Sequence, residues 1–516
     1  MDDALPINPQ PAAGAPAYGD YPEPGRRALI TAGIVLTTLM TSIDGTIANT
    51  VLPQIRSSVS ASQEEILWVL TSFILASTVV TPAIGWLERA LGRRNLLLGA
   101  LIGFTVSSVA CGLATDILQL VVYRVVQGAT AAVFIPLSQA ILLDINPPKD
   151  HARAMSMWGM GAVLGPILGP ILGGVLTDNL SWHWVFFINV PIAFVGFLIL
   201  AATLPRRVKR ESTRFDGFGF IAILISLVGL QMLLDRGPGA EWFSSTEIWI
   251  YATMAVVGAY VFIVHIFTSE RPIIHPSILA DRNYLLASAM IMVIGVLMFA
   301  GMALLPTLMQ GLLGYPVLTA GLTQASRGVG TFISMFLVGR LSGKFDNRLI
   351  IFVGISLTGL SYWLMSGFSL DMDQTSVIVS GLFQGLGLGL VFIPLMSIAF
   401  TTIQPNLRTE AASFYTLIRN IGSSLGISIV GALQIYNMKI VGSTLAEHAT
   451  PDNPNIAELP AGIDLNTASG QAMMSGMIDR QSAMVAYVDN FHMLFVMCVL
   501  ILPFLFLLRT KRAPHA

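Results

Sequence analysis

Gly161-Ala-Val-Leu-Gly165-Pro166-Ile-Leu-Gly169-Pro170-Ile-Leu-Gly173-Gly174 is the stretch on which the reading of this chain turns. Glycine recurs at every fourth residue inside an apolar run long enough to cross a bilayer. On a helix that spacing aligns Gly161, Gly165, Gly169 and Gly173 along one bare face, which a second helix can approach to backbone contact. Pro166 and Pro170 remove two amide donors in the same segment and predict a bend or a loosened turn. Glycine-rich packing faces occur in many multi-span proteins, so the rest of the chain decides what this one serves.

Apolar segments of about 20 residues recur on both sides of it, from Ala28 to Leu508. Of 516 residues, 54% are hydrophobic and 11% charged, against roughly 25% charged in soluble domains. The chain is therefore expected to be an all-α polytopic membrane protein. Its net charge of −1 supplies no basic field for nucleic acid. Both cysteines, Cys111 and Cys498, fall in apolar spans, so no disulfide framework is indicated. The first 25 residues hold Asp2, Asp3 and six prolines and lack a basic n-region. They are expected to form a disordered tail, not a cleaved signal peptide.

Fourteen spans are expected, at about 28–51, 65–87, 94–114, 117–142, 154–177, 184–204, 217–234, 247–268, 284–311, 317–341, 349–369, 375–402, 410–435 and 487–508. With both termini inside, the cytoplasmic segments hold 21 Lys and Arg. The opposite side holds four: Arg56, Arg236, Lys439 and Arg480. That asymmetry orients the chain by the positive-inside rule.

An internal repeat runs through the spans. Gln127-Gly128 followed by Phe134-Ile135-Pro136-Leu137 matches Gln384-Gly385 followed by Phe392-Ile393-Pro394-Leu395 at an offset of 257 to 258 residues. Leu52-Pro53 matches Leu305-Pro306 at 253, and Gly85-Trp-Leu87 matches Gly339-Arg-Leu341 at 254. The domain plan follows: a cytoplasmic tail at 1–27, a six-helix half at 28–204, a linker with two extra spans at 205–283, a second six-helix half at 284–508 and a tail at 509–516. This is a 6+2+6 arrangement of two pseudo-symmetric halves, a transporter plan in which the site lies between the copies. Residues 441–490 are expected as one long extracytoplasmic loop, with 471–490 able to continue as helix into the last span.

Ionisable groups inside a bilayer cost about 2.5–3.5 kcal/mol each on insertion scales and are functional candidates. Four stand out: Asp44, Arg124, Arg327 and Arg419. Asp44 lies about eight residues before the outer end of its span and Arg124 about seven residues into its own, so both are roughly 10–12 Å deep. An ion pair between them is expected. The arginine keeps its proton, so Asp44 is the candidate proton carrier, though a buried pair can also be purely structural. The repeat offset places Phe73 opposite Arg327 and Met298 opposite Asp44. The acid is thus in one half and two unmatched arginines in the other. A cavity with surplus positive charge, suited to lipophilic anions or weak acids, is the expectation; bonds to carbonyls at broken helices are the plainer alternative. Asn49, Gln127, Gln384, Arg327 and Arg419 are assigned to this substrate cavity. Gly85, Glu88, Arg89, Gly92, Arg93 and Arg94 form a short turn expected to act as a cytoplasmic latch on neighbouring helix ends. No G-x-x-x-x-G-K-[ST] motif occurs, and no Cys/His cluster suggests a metal. The chain is expected to be no enzyme, to hold no metal or cofactor, and to draw on the proton gradient.

Several of these segments together resemble the fourteen-span drug:proton antiporters of the major facilitator superfamily, the EmrB/QacA group. Gly165-Pro166 with Gly173-Gly174 is similar to that group's antiporter motif. Ile43-Asp44-Gly-Thr46-Ile47-Ala-Asn49-Thr-Val51-Leu52-Pro53 resembles its first-span signature, and Tyr123-Arg124-Val-Val-Gln127-Gly128 its R-x-x-Q-G motif. Trp182-His-Trp184-Val-Phe-Phe187-Ile188-Asn189-Val-Pro191 resembles the entry to its sixth span, and Arg419-Asn420-Ile-Gly422 its R-N-x-G stretch. The resemblance implies a major facilitator fold in a bacterial inner membrane and export of varied hydrophobic toxins in exchange for protons. It implies Asp44 and Arg124 as coupling residues, small-molecule substrates, and, in double-membrane hosts, a periplasmic adaptor and an outer-membrane channel. The chain departs from the group at Arg89, where an aspartate is usual, with Glu88 one place earlier, and at His183. A dedicated exporter of one endogenous metabolite, such as a siderophore, lipid or amino acid, is the alternative on the same scaffold.

Overall fold

In the computed structural model the residues described are 21–61, 63–147, 150–205, 215–237, 239–240, 242–270, 272–341, 345–404, 407–449 and 467–508. Residues 1–20 and 509–516 of the expected tails, and 206–214 and 450–466, lie outside them, whereas 24–27 of the expected first tail already belong to a helix. The first half contains α1 (Pro24–Ser58), α2 (Gln63–Val80), α3 (Ile84–Leu91), α4 (Arg93–Gly112), α5 (Ile117–Ala131), α6 (Phe134–Ile145), α7 (His151–Asn179), α8 (Trp184–Phe187) and α9 (Asn189–Thr203). Two further long helices follow, α10 (Gly217–Arg236) and α11 (Thr246–Thr268). The second half runs through α12 (Pro276–Ala280), α13 (Arg282–Thr307), α14 (Val317–Leu341), α15 (Asn347–Met365), α16 (Gln374–Thr401), α17 (Arg408–His448) and α18 (Ala468–Ile501).

All fourteen expected segments are helical, but fewer qualify as spans by length and apolarity. Among the described residues twelve helices do, and a thirteenth if the bent pair His151–Pro166 and Ile171–Thr177 is taken as one. The segment left over is α14, which carries Thr319, Thr323, Gln324, Ser326 and Arg327 along its first half. The 441–490 segment is not one loop: α17 continues to His448, and α18 begins at Ala468.

Helix starts are fixed by short polar side chains, each satisfying an otherwise orphaned amide and stabilising the helix by about 1 kcal/mol. Asp116 accepts from the Gln119 amide at 2.9 Å, Asp216 from Gly219 at 2.9 Å and Asp281 from Tyr284 at 2.8 Å. Asp373 accepts from the Ser376 amide at 3.2 Å, which holds its carboxyl below the usual range. Asp116 and Asp373 cap α5 and α16 at the repeat's own offset of 257. Prolines mark the breaks: Pro82 sits in the 3-10 turn Thr81–Ala83 between α2 and α3, and Pro306 precedes the π turn Leu308–Leu312 after α13.

The halves repeat their packing. In the first, α1 lies on α7 and α9, α2 on α5, and α4 on α5 and α9. In the second, α13 lies on α17 and α18, α14 on α16, and α15 on α16 and α18. Helix α10 pairs with α11 and touches α2 of one half and α17 of the other. The halves meet where α7 packs on α14 and α16, and where α17 packs on α3 and α6.

The glycine stripe serves the α1–α7 contact. A Cβ at Gly161 would meet the Val35 side chain at 2.9 Å, at Gly165 the Ser42 Cβ at 2.2 Å, and at Gly169 the Thr46 Oγ1 at 2.2 Å. Only glycine allows that approach. Gly173 is buried, whereas a Cβ at Gly174 would meet nothing within 4 Å. The helix bends by 43° between Pro166 and Ile171.

Candidate functional site

Ser42 and Thr46 flank Asp44, so the glycine stripe backs the turn of α1 that carries the acid. Asp44 points away from α7 into a cluster built by α4, α5 and α9. Arg124 Nη1 donates to its Oδ2 at 2.8 Å. Gln127 Nε2 and Asn189 Nδ2 donate to its Oδ1 at 3.0 and 2.7 Å. Both amides also reach Ser108 Oγ, at 3.2 and 3.0 Å. The guanidinium is held further by the Val69 carbonyl at 3.0 Å, the Gln127 Oε1 at 2.7 Å and the Phe73 ring at 4.2 Å. Asp44, Arg124, Gln127 and Asn189 are all 0% exposed. The carboxyl thus has donors on both oxygens, one of them a guanidinium at 2.8 Å. A proton on this carboxyl removes the charge on which the bond from Arg124 depends.

The sequence pairs Asp44 with Arg124, and the structure brings them together. It corrects Gln127, which was assigned to a substrate cavity. Its amide is spent on Asp44 and Ser108, and no part of it is accessible. Asn189, Ser108 and Phe73 belong to the cluster but were not singled out as site residues. The signal for Asn189 was its place in the Trp182–Pro191 motif, where it opens α9.

The other cavity residues scatter. Asn49 is exposed on α1. Arg327 is half-buried, and its Nη2 donates to the Met298 carbonyl at 3.0 Å. Arg419 is half-buried, its Nη2 donating to Asn420 Oδ1 at 3.1 Å while its buried Nε has no partner. Among the described residues neither arginine meets a carboxylate. Gln384 is fully enclosed, its amide beside the Tyr362 hydroxyl; it is no exposed cavity wall.

A second cluster closes one face of the molecule. Arg89 pairs with Glu410 at the start of α17, and Arg408 pairs with Asp144 at the end of α6 at 2.8 Å. Both pairs cross between the halves. Arg93 sits between Glu88 and Asp144 within the first half, and Arg94 Nη2 donates to the Ala201 carbonyl at 2.7 Å. Gly92 turns the chain at φ +79°, and a Cβ at Gly85 would come within 2.4 Å of Glu410 Cγ. Glu88 does not stand in for the missing aspartate as a link to the other half; it pairs inside its own turn. Arg89 makes that link with reversed charge. Asp144, Arg408 and Glu410 were not foreseen. On the same side, Trp158 stacks on Phe392 with centroids 6.2 Å apart, and a Cβ at Gly159 would meet the Met335 Sδ at 2.9 Å.

Comparison with known proteins agrees with this architecture. A model of the Major Facilitator Superfamily matches residues 34–427. The chain is 33% identical to the Multidrug export protein EmrB of Escherichia coli K12 over 461 residues, covering 89% of this chain and 90% of that protein. It is 32% identical to the Fatty acid resistance protein FarB of Neisseria gonorrhoeae over 446 residues, 86% of this chain and 88% of that one. Among solved structures, the proton:xylose symporter XylE superposes with a TM-score of 0.61 at 14% identity, covering 95% of this chain and 96% of its own.

Proposed function

We propose that this chain, which belongs to the major facilitator superfamily, is a proton-coupled exporter of hydrophobic drugs and toxins. It is a transporter and not an enzyme, a multi-span helical protein of the membrane. In this reading it sits in a bacterial inner membrane with both termini cytoplasmic, and it uses the proton gradient without a cofactor. The observation that carries the reading is the sealed Asp44 carboxyl, ringed by Arg124, Gln127 and Asn189, on the scaffold of a family whose relative in Escherichia coli is named a multidrug export protein.

The mechanism follows from which helices each group ties. The face held by Arg89–Glu410 and Asp144–Arg408 is the cytoplasmic one, so the conformation is closed toward the cytoplasm. A proton reaching Asp44 from outside neutralises it. Its hold on Arg124 weakens, and the two amides lose their acceptor. Helices α1, α5 and α9 are then free to shift. Helix α1 bears on α7 through the glycines at 161, 165 and 169, and α7 bears on α14 and α16 of the other half. Movement at Asp44 thus reaches the interface between the halves, and the halves rock. The proton and the substrate act on the same equilibrium, and a full switch requires them to favour opposite states by about 5.5 kcal/mol in total.

The adaptor contact belongs to this proposal too. Helix α17 has 41 residues, about 60 Å of helix against roughly 30 Å of hydrocarbon. It pairs with α18 through Gln434 and the Ala483 carbonyl at 3.1 Å, and through Asn490 and Gln434 at 2.9 Å. That hairpin projects beyond the bilayer, with Tyr436 and Ile440 exposed on it, and is the surface we assign to a periplasmic adaptor.

The experiment is dye efflux in inverted vesicles under an imposed proton gradient, comparing the wild type with Asp44→Asn. Gradient-driven transport in the wild type and none in the variant is expected. Equal transport in both would remove Asp44 from coupling.

A further inference from the structure

The two halves hold a guanidinium in the same niche but hang it on different helices. A Cβ at Gly128 would meet the Phe73 carbonyl at 2.2 Å, and a Cβ at Gly385 would meet the Arg327 carbonyl at 1.9 Å. The crossing of α2 and α5 is thus repeated by α14 and α16, and Arg327 stands where Phe73 stands. In the first half Arg124 leans from α5 over Phe73 toward Asp44 on α1. At an offset of 257 its counterpart on α16 is Gly381, which leaves room: a Cβ there would meet only Ser326 Oγ closely, at 2.7 Å. Arg327 reaches from α14 toward α13 instead, to the carbonyl of Met298, the counterpart of Asp44.

The partners are repeated as well. Gln384, the counterpart of Gln127, and Tyr362 on α15 converge beside Gly301, one turn along α13 from Met298. The Tyr362 hydroxyl donates to the Leu297 carbonyl. What the second half lacks is the carboxylate. Gln127 spends its amide on Asp44, while Gln384, 0% exposed, has only the neutral Tyr362 hydroxyl beside it. The Arg327 guanidinium makes one hydrogen bond among the described residues, to a neutral carbonyl, and the residue is only half-buried. A guanidinium offers five donors, and burying it with its charge uncompensated is costly.

We infer that Arg327, backed by Gln384, is a seat for the carboxylate of a lipophilic acid, with the ligand supplying the group that Asp44 supplies in the other half. This rests on the transport function proposed above and names a substrate class for it. The two halves then divide the work: one carboxylate is built in and binds the proton, and the other arrives with the cargo.

The test uses purified full-length protein in nanodiscs at pH 7.5, with a pyrene-labelled dodecanoate and its methyl ester as probes. Wild type is expected to bind the acid at least about tenfold tighter than the ester, the scale of a charge-assisted hydrogen bond. Arg327→Gln should erase that preference, Arg327→Lys should keep part of it, and Gln384→Leu should reduce it. Met298→Asp, which restores the repeat's carboxylate, should also erase it. Ester binding in each variant reports folding. Equal binding of acid and ester by the wild type, or a full preference surviving in Arg327→Gln, would overturn the inference. Proton-driven ethidium efflux by the same proteins reconstituted in proteoliposomes separates the two ideas. No efflux at all sinks the exporter reading, and efflux without acid preference sinks only the carboxylate seat.

Discussion

The cluster around Asp44 and the cluster around Glu410 are both made of carboxylates and arginines, yet they are built for opposite conditions. The first has a single acid, lies wholly within one half and is closed to solvent. The second has three acids, and its side chains range from 6 to 28% exposed. Two of its pairs cross between the halves. In a dry site a charge is strongly dependent on each partner, so changing one proton changes the whole arrangement. In a wet site water screens each pair, and any single one is weak. The dry cluster therefore suits a chemical switch. The wet cluster suits a tie that must open once per cycle.

The largest separation between the two should come from removing one charge. Arg124→Leu leaves Asp44 buried with no cation and is expected to cost about 3–5 kcal/mol of stability. Unfolding in detergent measures it. Asp44→Asn added to Arg124→Leu should recover a large part of that loss, because the orphaned charge is gone. Strict additivity of the two single changes would mean that the residues are not coupled, and the contrast would collapse.

A second effect tests how the dry cluster is connected. Gly165→Val places a branched side chain where even a Cβ lies 2.2 Å from Ser42, and it must push α1 off α7. Proton-driven efflux should fall at least about tenfold, with overpacking of about 1–3 kcal/mol. Gly174→Ala, which meets nothing within 4 Å, should leave efflux and stability unchanged. Equal loss at both positions would mean that glycine content, and not the contact with α1, is what matters.

The dry cluster was the more legible of the two in the sequence, for a physical reason. A charge in an apolar span is costly and conspicuous, and depth counted in residues sufficed to match Asp44 with Arg124. Amides carry no such flag. Gln127 read as cavity wall, and Asn189 as part of a motif, because only the fold shows that both turn to the same oxygen. The bare face of α7 was legible as spacing, but its partner was not, since every span offers an apolar surface. The wet cluster was half legible. Arg89, Arg93 and Arg94 stood out as a turn, whereas Asp144, Arg408 and Glu410 lie at helix ends where charge is ordinary. Their pairing joins residues 264 to 321 positions apart, and no local pattern encodes it. The full span count is not confirmed for a related reason: α14 carries enough polar side chains to fall short of the apolarity of an isolated span.

A third effect concerns the tie itself. Arg89→Glu and Glu410→Arg should each loosen the closed face by about 1 kcal/mol, roughly a fivefold shift toward the open state. The two together should restore it. Alkylation of a cysteine introduced at Ser156, which a Cβ on Gly339 would approach to 3.3 Å, reads the opening. If the double variant is as open as either single one, the Arg89–Glu410 contact does not hold the halves.

The smallest effect should come from Glu88. It pairs with Arg93, but Arg93 also pairs with Asp144, and Asp144 in turn holds Arg408 across the interface. Glu88→Gln removes a partner that has a substitute and that bridges nothing between the halves. Alkylation at residue 156 should therefore stay within about twofold of wild type, since Arg93 keeps Asp144 as its carboxylate partner. Asp144→Asn strips two arginines at once, one of them across the interface, and should open the face more than Arg89→Glu does. If Glu88→Gln opened the face as far as Asp144→Asn, the turn would act as one unit through its own internal pair. The tie would then not reside in the contacts that cross between the halves.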